Sequence, residues 1–213
     1  VQGIFMEKTD EKTGAGMPLR KEKNGKKIAV TGGIGSGKSM VCSILREKGY
    51  PVFSCDEIYR EMQTDPVYLG ALEKIFPGVT AGGVLDRKKL SAVVFRDGAA
   101  LAKLNALSHP AIMRRLYERM AAYPVAFAEV PLLFESGRQG DFDGVIVVYR
   151  PQRERIDAVR ARDGLSEEEI LLRMKNQADY EKIIREGHTV IYNDGDLSSL
   201  RHKVASAVEE ILG

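Results

Sequence analysis

Gly32-Gly33-Ile34-Gly35-Ser36-Gly37-Lys38-Ser39 decides how this chain is read. The stretch fits G-x-x-x-x-G-K-[ST], a glycine-rich loop whose backbone N–H groups cradle phosphate. Ile28-Ala29-Val30-Thr31 before it is apolar and reads as a buried strand. A helix is expected over about 38–48, with Val41, Ile44 and Leu45 on one face and Gly49 as its stop. The helix N-terminus then adds its dipole to the same anion site. Gly33, Ile34, Gly35, Ser36, Gly37, Lys38, Ser39 and Met40 are therefore the candidate ATP-binding residues. Lys38 is expected to reach the β- and γ-phosphates, and the Ser39 hydroxyl to ligate Mg²⁺. In the empty loop Lys38 is expected to be a surface-facing charge.

Outward from the loop the pattern is α/β. Residues 51–54, 125–130, 145–149 and 188–192 read as further strands, and the largely apolar middle two suit a parallel sheet covered on both faces. Leu200, Val204, Val208 and Ile211 repeat at helical spacing and predict a C-terminal helix. About 70 residues after the second strand read as helical throughout, with no strand pattern. Asp65-Pro66, Asp86 and Asp97 mark helix starts there, and His109-Pro110 is expected to open another helix. A second helical excursion covers 151–186, where Ser166-Glu167-Glu168-Glu169 fits a capping box.

The charge is nearly balanced, 32 basic against 30 acidic residues, which leaves no electrostatic footprint for nucleic acid. No apolar run approaches the roughly 18 residues of a membrane helix, and residues 1–24 read as a flexible tail without a signal-peptide core. Cys42 and Cys55 read as reduced thiols of a cytoplasmic protein, and His109, His188 and His202 are too scattered for a zinc cluster.

Several charged groups suit phosphoryl chemistry. Asp56 closes the second strand, on the strand-end side where open parallel sheets bind ligands. There it can take a proton from an attacking hydroxyl, or serve only as a helix N-cap. Glu129 and Glu135 flank an apolar segment containing Pro131 and Leu132, and a carboxylate at that strand's end suits a metal. Arg150, Arg153, Arg155, Arg160 and Arg162 are clustered, and positions 155 and 162 lie about two helical turns apart. Guanidinium groups suit a transferring phosphoryl group, though a solvated basic face is the plainer reading. Asp141-x-x-Gly144 is only superficially like a GTPase switch motif, because it precedes a strand, and no Asn-Lys-x-Asp guanine reader follows.

From about Lys27 to the C-terminus the ordered set resembles the dephospho-coenzyme A kinase family. The resemblance rests on Thr31 to Ser39, Asp56, Leu85-Asp86-Arg87 with Leu90 and Phe95, and His109-Pro110. It continues through Pro131-Leu132-Leu133-Phe134-Glu135, Arg162-Asp163, Arg173, Gln177 and Asn193 with Gly195. It implies a P-loop core at 25–56, 121–150 and 187–213, a helical acceptor region at 57–120 and a lid at 151–186. It implies transfer of the ATP γ-phosphoryl group to the ribose 3′-hydroxyl of dephospho-coenzyme A, the last step of coenzyme A synthesis. Asp56, Lys38 and Arg162 would be catalytic, and Gln177 and Asn193 would join the ATP site. Thr31, Asp56, Arg87, His109, Pro131 and Leu132 would meet the acceptor. A small-molecule substrate and a monomer or weak homo-oligomer are expected, with no nucleic-acid or membrane partner. Ser54, Met40 and Ala158 depart from the family pattern, Ala158 standing where an arginine is usual. The alternatives are another small-molecule P-loop kinase, acting on a nucleotide or sugar, and a non-catalytic nucleotide-dependent switch.

Overall fold

The computed structural model describes residues 25–213, so the tail expected at 1–24 lies outside the described residues. Residues 54–119 form one compact unit, and 25–53 with 120–213 form the other.

The larger unit carries a five-stranded sheet. Its strands are β1 (Lys26–Thr31), β2 (Val52–Ser54), β5 (Val125–Glu129), β6 (Gly144–Tyr149) and β7 (Thr189–Tyr192), ordered β2-β5-β1-β6-β7. β1 runs parallel to β5 and β6, and β6 parallel to β7. The register pairs Val30 with Glu129 and with Ile146, so β5 ends within a residue of β1 while β6 runs two residues farther, to Tyr149. From β1 the chain crosses to β2 on one side and later reaches β6 and β7 on the other. The carboxyl end of β1 is thus the topological switch point, where open sheets of this kind bind ligands.

Helix α1 (Lys38–Glu47) returns from that end, and α9 (Leu197–Leu212) closes the chain. Ile28, Val30, Ile146 and Val148 meet Val41, Ile44, Val204 and Val208 in one apolar cluster. Alternate residues of β1 and β6 face these helices, which is the period-2 rule at work. Full burial of each such side chain is worth about 1.5–3 kcal/mol, so this layer holds the phosphate loop's two anchors rigidly.

Between β6 and β7 lie α6 (Gln152–Asp163), α7 (Glu167–Lys175) and the single turn α8 (Tyr180–Ile183). The capping box at Ser166 and Glu169 is formed, with both reciprocal bonds present. Ile156, Val159 and Ile170 make a separate apolar cluster, onto which Ile34 of the glycine loop packs.

The smaller unit differs from expectation in two places. Strands β3 (Thr80–Ala81) and β4 (Val84–Leu85) pair antiparallel across a two-residue turn, where helix alone was expected. Gly82 and Gly83 both take positive φ, 58° and 78°, as such a hairpin turn requires. His109-Pro110 does not start a helix but lies inside α5 (Gly98–Met120). Proline forfeits one helical bond there, at about 3 kcal/mol. Burial of Leu101, Leu104, Ile112 and Leu116 on one continuous stripe offsets that cost. The remaining helices are α2 (Cys55–Met62), α3 (Pro66–Ile75) and α4 (Arg87–Val94). Asp65 and Asp86 cap α3 and α4 through their side chains, and Asp97 accepts the Ala99 N–H at the start of α5.

Candidate functional site

The glycine loop leaves β1 at Thr31 and enters α1 at Lys38, with Gly37 at the N-cap in the left-handed region, φ 94°. Glycine is required there twice over. A side chain is strained at that φ, and a Cβ would come within 2.2 Å of Asn193 Nδ2. Asn193 follows β7 and donates through Nδ2 to the Ser36 carbonyl at 2.9 Å, so the last strand braces the loop from outside.

Lys38 is not the surface charge that was expected. Its ammonium donates to the carbonyls of Gly32 and Gly33, at 2.6 and 3.0 Å, and lies folded inside the loop. Burial pulls its pKa down to about 8, against the upward pull of Glu129. A half-buried ammonium needs such carbonyl partners, because an unpaired charge drawn out of water is costly. Ser39, the second residue of α1, donates its hydroxyl to Glu129 Oε1 at 3.0 Å. A hydroxyl and a carboxylate side by side are the hard oxygen donors that Mg²⁺ takes. Met40 stands half exposed on the next position of the helix.

Arg155 comes from the first half of α6 and lies over the loop. Its Nε donates to the Ile34 carbonyl at 2.8 Å, and one terminal nitrogen reaches Gln177 Oε1 at 3.3 Å. That same Gln177 oxygen accepts the Ile34 N–H at 2.8 Å. A Cβ on Gly33 would meet the Arg155 guanidinium at 2.2 Å, so that glycine makes room for it. Arg162, seven residues on, turns instead to Asp163, with two bonds of 2.8 Å. This pairing raises the arginine's pKa and holds the Asp163 carboxyl below its usual range. The two arginines thus have different partners: Arg155 the phosphate loop, Arg162 the carboxylate beside it.

Thr31 is buried at the end of β1, its hydroxyl 3.4 Å from that of Tyr180. Pro131 and Leu132 are half-buried in the turn after β5. In the smaller unit, Asp56 is the second residue of α2, whose N-cap is Ser54, so Asp56 is not the cap itself. Arg87 is the first residue of α4 and His109 lies half-buried in the middle of α5. The sequence marks Glu129 as a strand-end carboxylate suited to a metal and Arg155 as one of a cluster of arginines suited to a phosphoryl group, whereas Tyr180 is not singled out. For Glu129 a signal existed, a carboxylate closing the strand that pairs with β1. The pairing of Arg155 with Ile34 and of Tyr180 with Thr31 had no such signal, because only the fold brings residues about 120 and 150 positions apart together.

The dephospho-CoA kinase family model matches residues 27–199. The chain belongs to this family. A dephospho-CoA kinase of Thermus thermophilus is 38% identical over 188 residues, covering 87% of this chain and 92% of the relative. One from Chlorobaculum tepidum is also 38% identical, covering 87% and 94%. A solved structure from Thermus thermophilus superposes with a TM-score of 0.77 at 37% identity, over 90% of this chain and all of that one. The Campylobacter jejuni dephospho-CoA kinase superposes with a TM-score of 0.62 at 27% identity, over 87% and 97%. Dephospho-CoA kinase membership and the loop geometry agree on a P-loop kinase. Among the described residues, no helix is long and apolar enough to cross a membrane.

Proposed function

We propose that this chain transfers the γ-phosphoryl group of ATP to the ribose 3′-hydroxyl of dephospho-coenzyme A. The observation that carries this is the cradle itself: Lys38 folded onto the loop carbonyls, beside the Ser39–Glu129 pair, in a chain whose family performs this step. Residues 33–40 wrap the phosphates, Asn193 and Gln177 hold the loop in shape, and Lys38 moves from the carbonyls to phosphate oxygens. Ser39 and Glu129 would hold Mg²⁺, which neutralises phosphate charge when bound. Asp56 takes the proton of the attacking hydroxyl; its position two residues past β2, on the ligand-binding side of such sheets, supports that role. Residues 57–120 form the acceptor region, with Arg87 and His109 meeting the substrate, together with Thr31, Pro131 and Leu132 of the core. Residues 151–186 form the lid, in which Arg162 would leave its Asp163 partner to meet the phosphoryl group. A near-balanced charge supports a small-molecule substrate rather than nucleic acid; a cytoplasmic protein, monomeric or weakly associated, belongs to the same reading.

Incubation with Mg-ATP and dephospho-coenzyme A should yield ADP and a phosphomonoester at the ribose 3′ oxygen, read by phosphorus NMR. A product phosphorylated at the 2′ oxygen, or none, would contradict the assignment.

Two substitutions divide the roles. Arg87→Ala should raise the KM for dephospho-coenzyme A at least about tenfold, the loss of about 1.4 kcal/mol of binding, and leave that for ATP nearly unchanged. Equal effects on both would make the helical unit a folding element only. Arg155→Ala should lower kcat about tenfold, because the guanidinium that steadies the Ile34 carbonyl is also near enough to share phosphate charge. An unchanged kcat would reduce it to a packing contact.

A further inference from the structure

Between α7 and β7 the chain returns to the sheet through residues 176–180, and this return is tied down at three successive points. Gln177 Oε1 accepts the Ile34 N–H at 2.8 Å. The Ala178 N–H donates to Glu135 Oε1, also at 2.8 Å. The Tyr180 hydroxyl lies 3.4 Å from the Thr31 hydroxyl, and its ring packs edge-on against Phe134 at 6.3 Å. Burial pushes the Tyr180 hydroxyl's pKa upward, and the nearby Glu135 carboxylate adds to this.

Ile34 is where these ties converge. Its N–H goes to Gln177, its carbonyl to Arg155, and its side chain packs on the cluster of Ile156, Val159 and Ile170. The tip of the phosphate loop is therefore gripped on three sides by α6, α7 and the return segment. Glu135 has no bond to Ile34 and is the anchor behind that grip. It projects from the turn after β5, on the rigid side of the unit. Its Oε1 is spent on Ala178, while Oε2 is closed off with no donor among the described residues. Enclosing a carboxylate oxygen without a donor is unfavourable. What the geometry offers against that cost is reach to the Ala178 amide.

We propose that Glu135 is a positioning residue: it latches the return segment of the lid, through the Ala178 N–H, against the phosphate loop, and so keeps Ile34 clamped during phosphoryl transfer. The inference rests on the transfer reaction proposed above. A seated lid excludes water, so the latch favours transfer to the acceptor over hydrolysis of ATP.

The test compares wild type, Glu135→Asp and Glu135→Gln, each alone and combined with Gln177→Ala. ADP release is measured with and without dephospho-coenzyme A. Aspartate keeps the charge but withdraws the carboxylate by about 1.5 Å, one carbon–carbon bond. Glutamine keeps the reach and an acceptor oxygen but loses the charge. Glu135→Asp should lower kcat for transfer about tenfold, raise the ratio of hydrolysis to transfer by a similar factor, and leave the KM for ATP within about threefold. Glu135→Gln should restore most of the transfer and the low hydrolysis ratio. Added to Gln177→Ala, the aspartate substitution should cost less than it does alone, because both changes open one strap. The latch is overturned if glutamine is as impaired as aspartate, if aspartate matches wild type, or if the two losses simply multiply. Wild-type transfer in the same assay separates the readings: an active wild type with an indifferent Glu135→Asp sinks the latch and leaves the proposed reaction standing.

Discussion

Lys38→Ala is expected to lose transfer activity by about 10²–10³ or more, the scale of removing one preorganised donor from a site of developing negative charge. The ammonium is already desolvated and held by the Gly32 and Gly33 carbonyls, so little reorganisation is needed before it meets phosphate. Burial draws its pKa to about 8, and Glu129 helps it keep its proton. The substitution also removes two bonds that close the loop, so nucleotide affinity should fall along with the rate. The fold should survive, because α1 and β1 are fixed by the apolar layer of Val41, Ile44 and Val30 and not by the loop. Steady-state kinetics with a thermal melt alongside would check this. Activity above roughly a tenth of wild type, in a folded variant, would count against Lys38 as the phosphate-neutralising group.

Asp56→Asn should cost at least about 10² in kcat, the low end for general acid–base catalysis, with ATP affinity changed by less than about threefold. The substitution is nearly isosteric. Asp56 sits in the first turn of α2 and is not its cap, so what the helix end itself loses is a charge–dipole term of about 0.3–1 kcal/mol. That is too small to unfold the chain and far smaller than the expected barrier increase of about 2.7 kcal/mol. Normal turnover by the asparagine variant would leave Asp56 as a first-turn acid and nothing more.

The phosphate loop and its flanks were legible in the sequence because they are local: an apolar strand, a glycine turn and an amphipathic helix are adjacent in the chain. Strand positions carried over to within one or two residues, since β5 and β6 are buried runs with polar borders. The helical unit was harder to read. Pro110 looked like a helix start because proline is at home in a first turn, yet the buried stripe from Leu101 to Leu116 overrode that local preference. The Gly82-Gly83 hairpin signal was present, but its strands are only two residues each and carry no periodicity. Lys38 was misplaced at the surface because no sequence pattern shows that two carbonyls of its own loop would turn inward to meet it. The contacts of Arg155, Gln177 and Tyr180 with the loop join residues more than a hundred positions apart. Spacing rules for a single helix or strand have no means of reporting such pairs.

The most direct measurement of the central claim is an acceptor panel. The protein is incubated with Mg-ATP and, separately, dephospho-coenzyme A, nucleoside monophosphates and gluconate, and ADP release is followed. The account predicts ADP release that depends on dephospho-coenzyme A and on no other member of the panel. Turnover with a nucleotide or with gluconate would make this a different small-molecule kinase, and turnover with none would contradict phosphoryl transfer to dephospho-coenzyme A altogether.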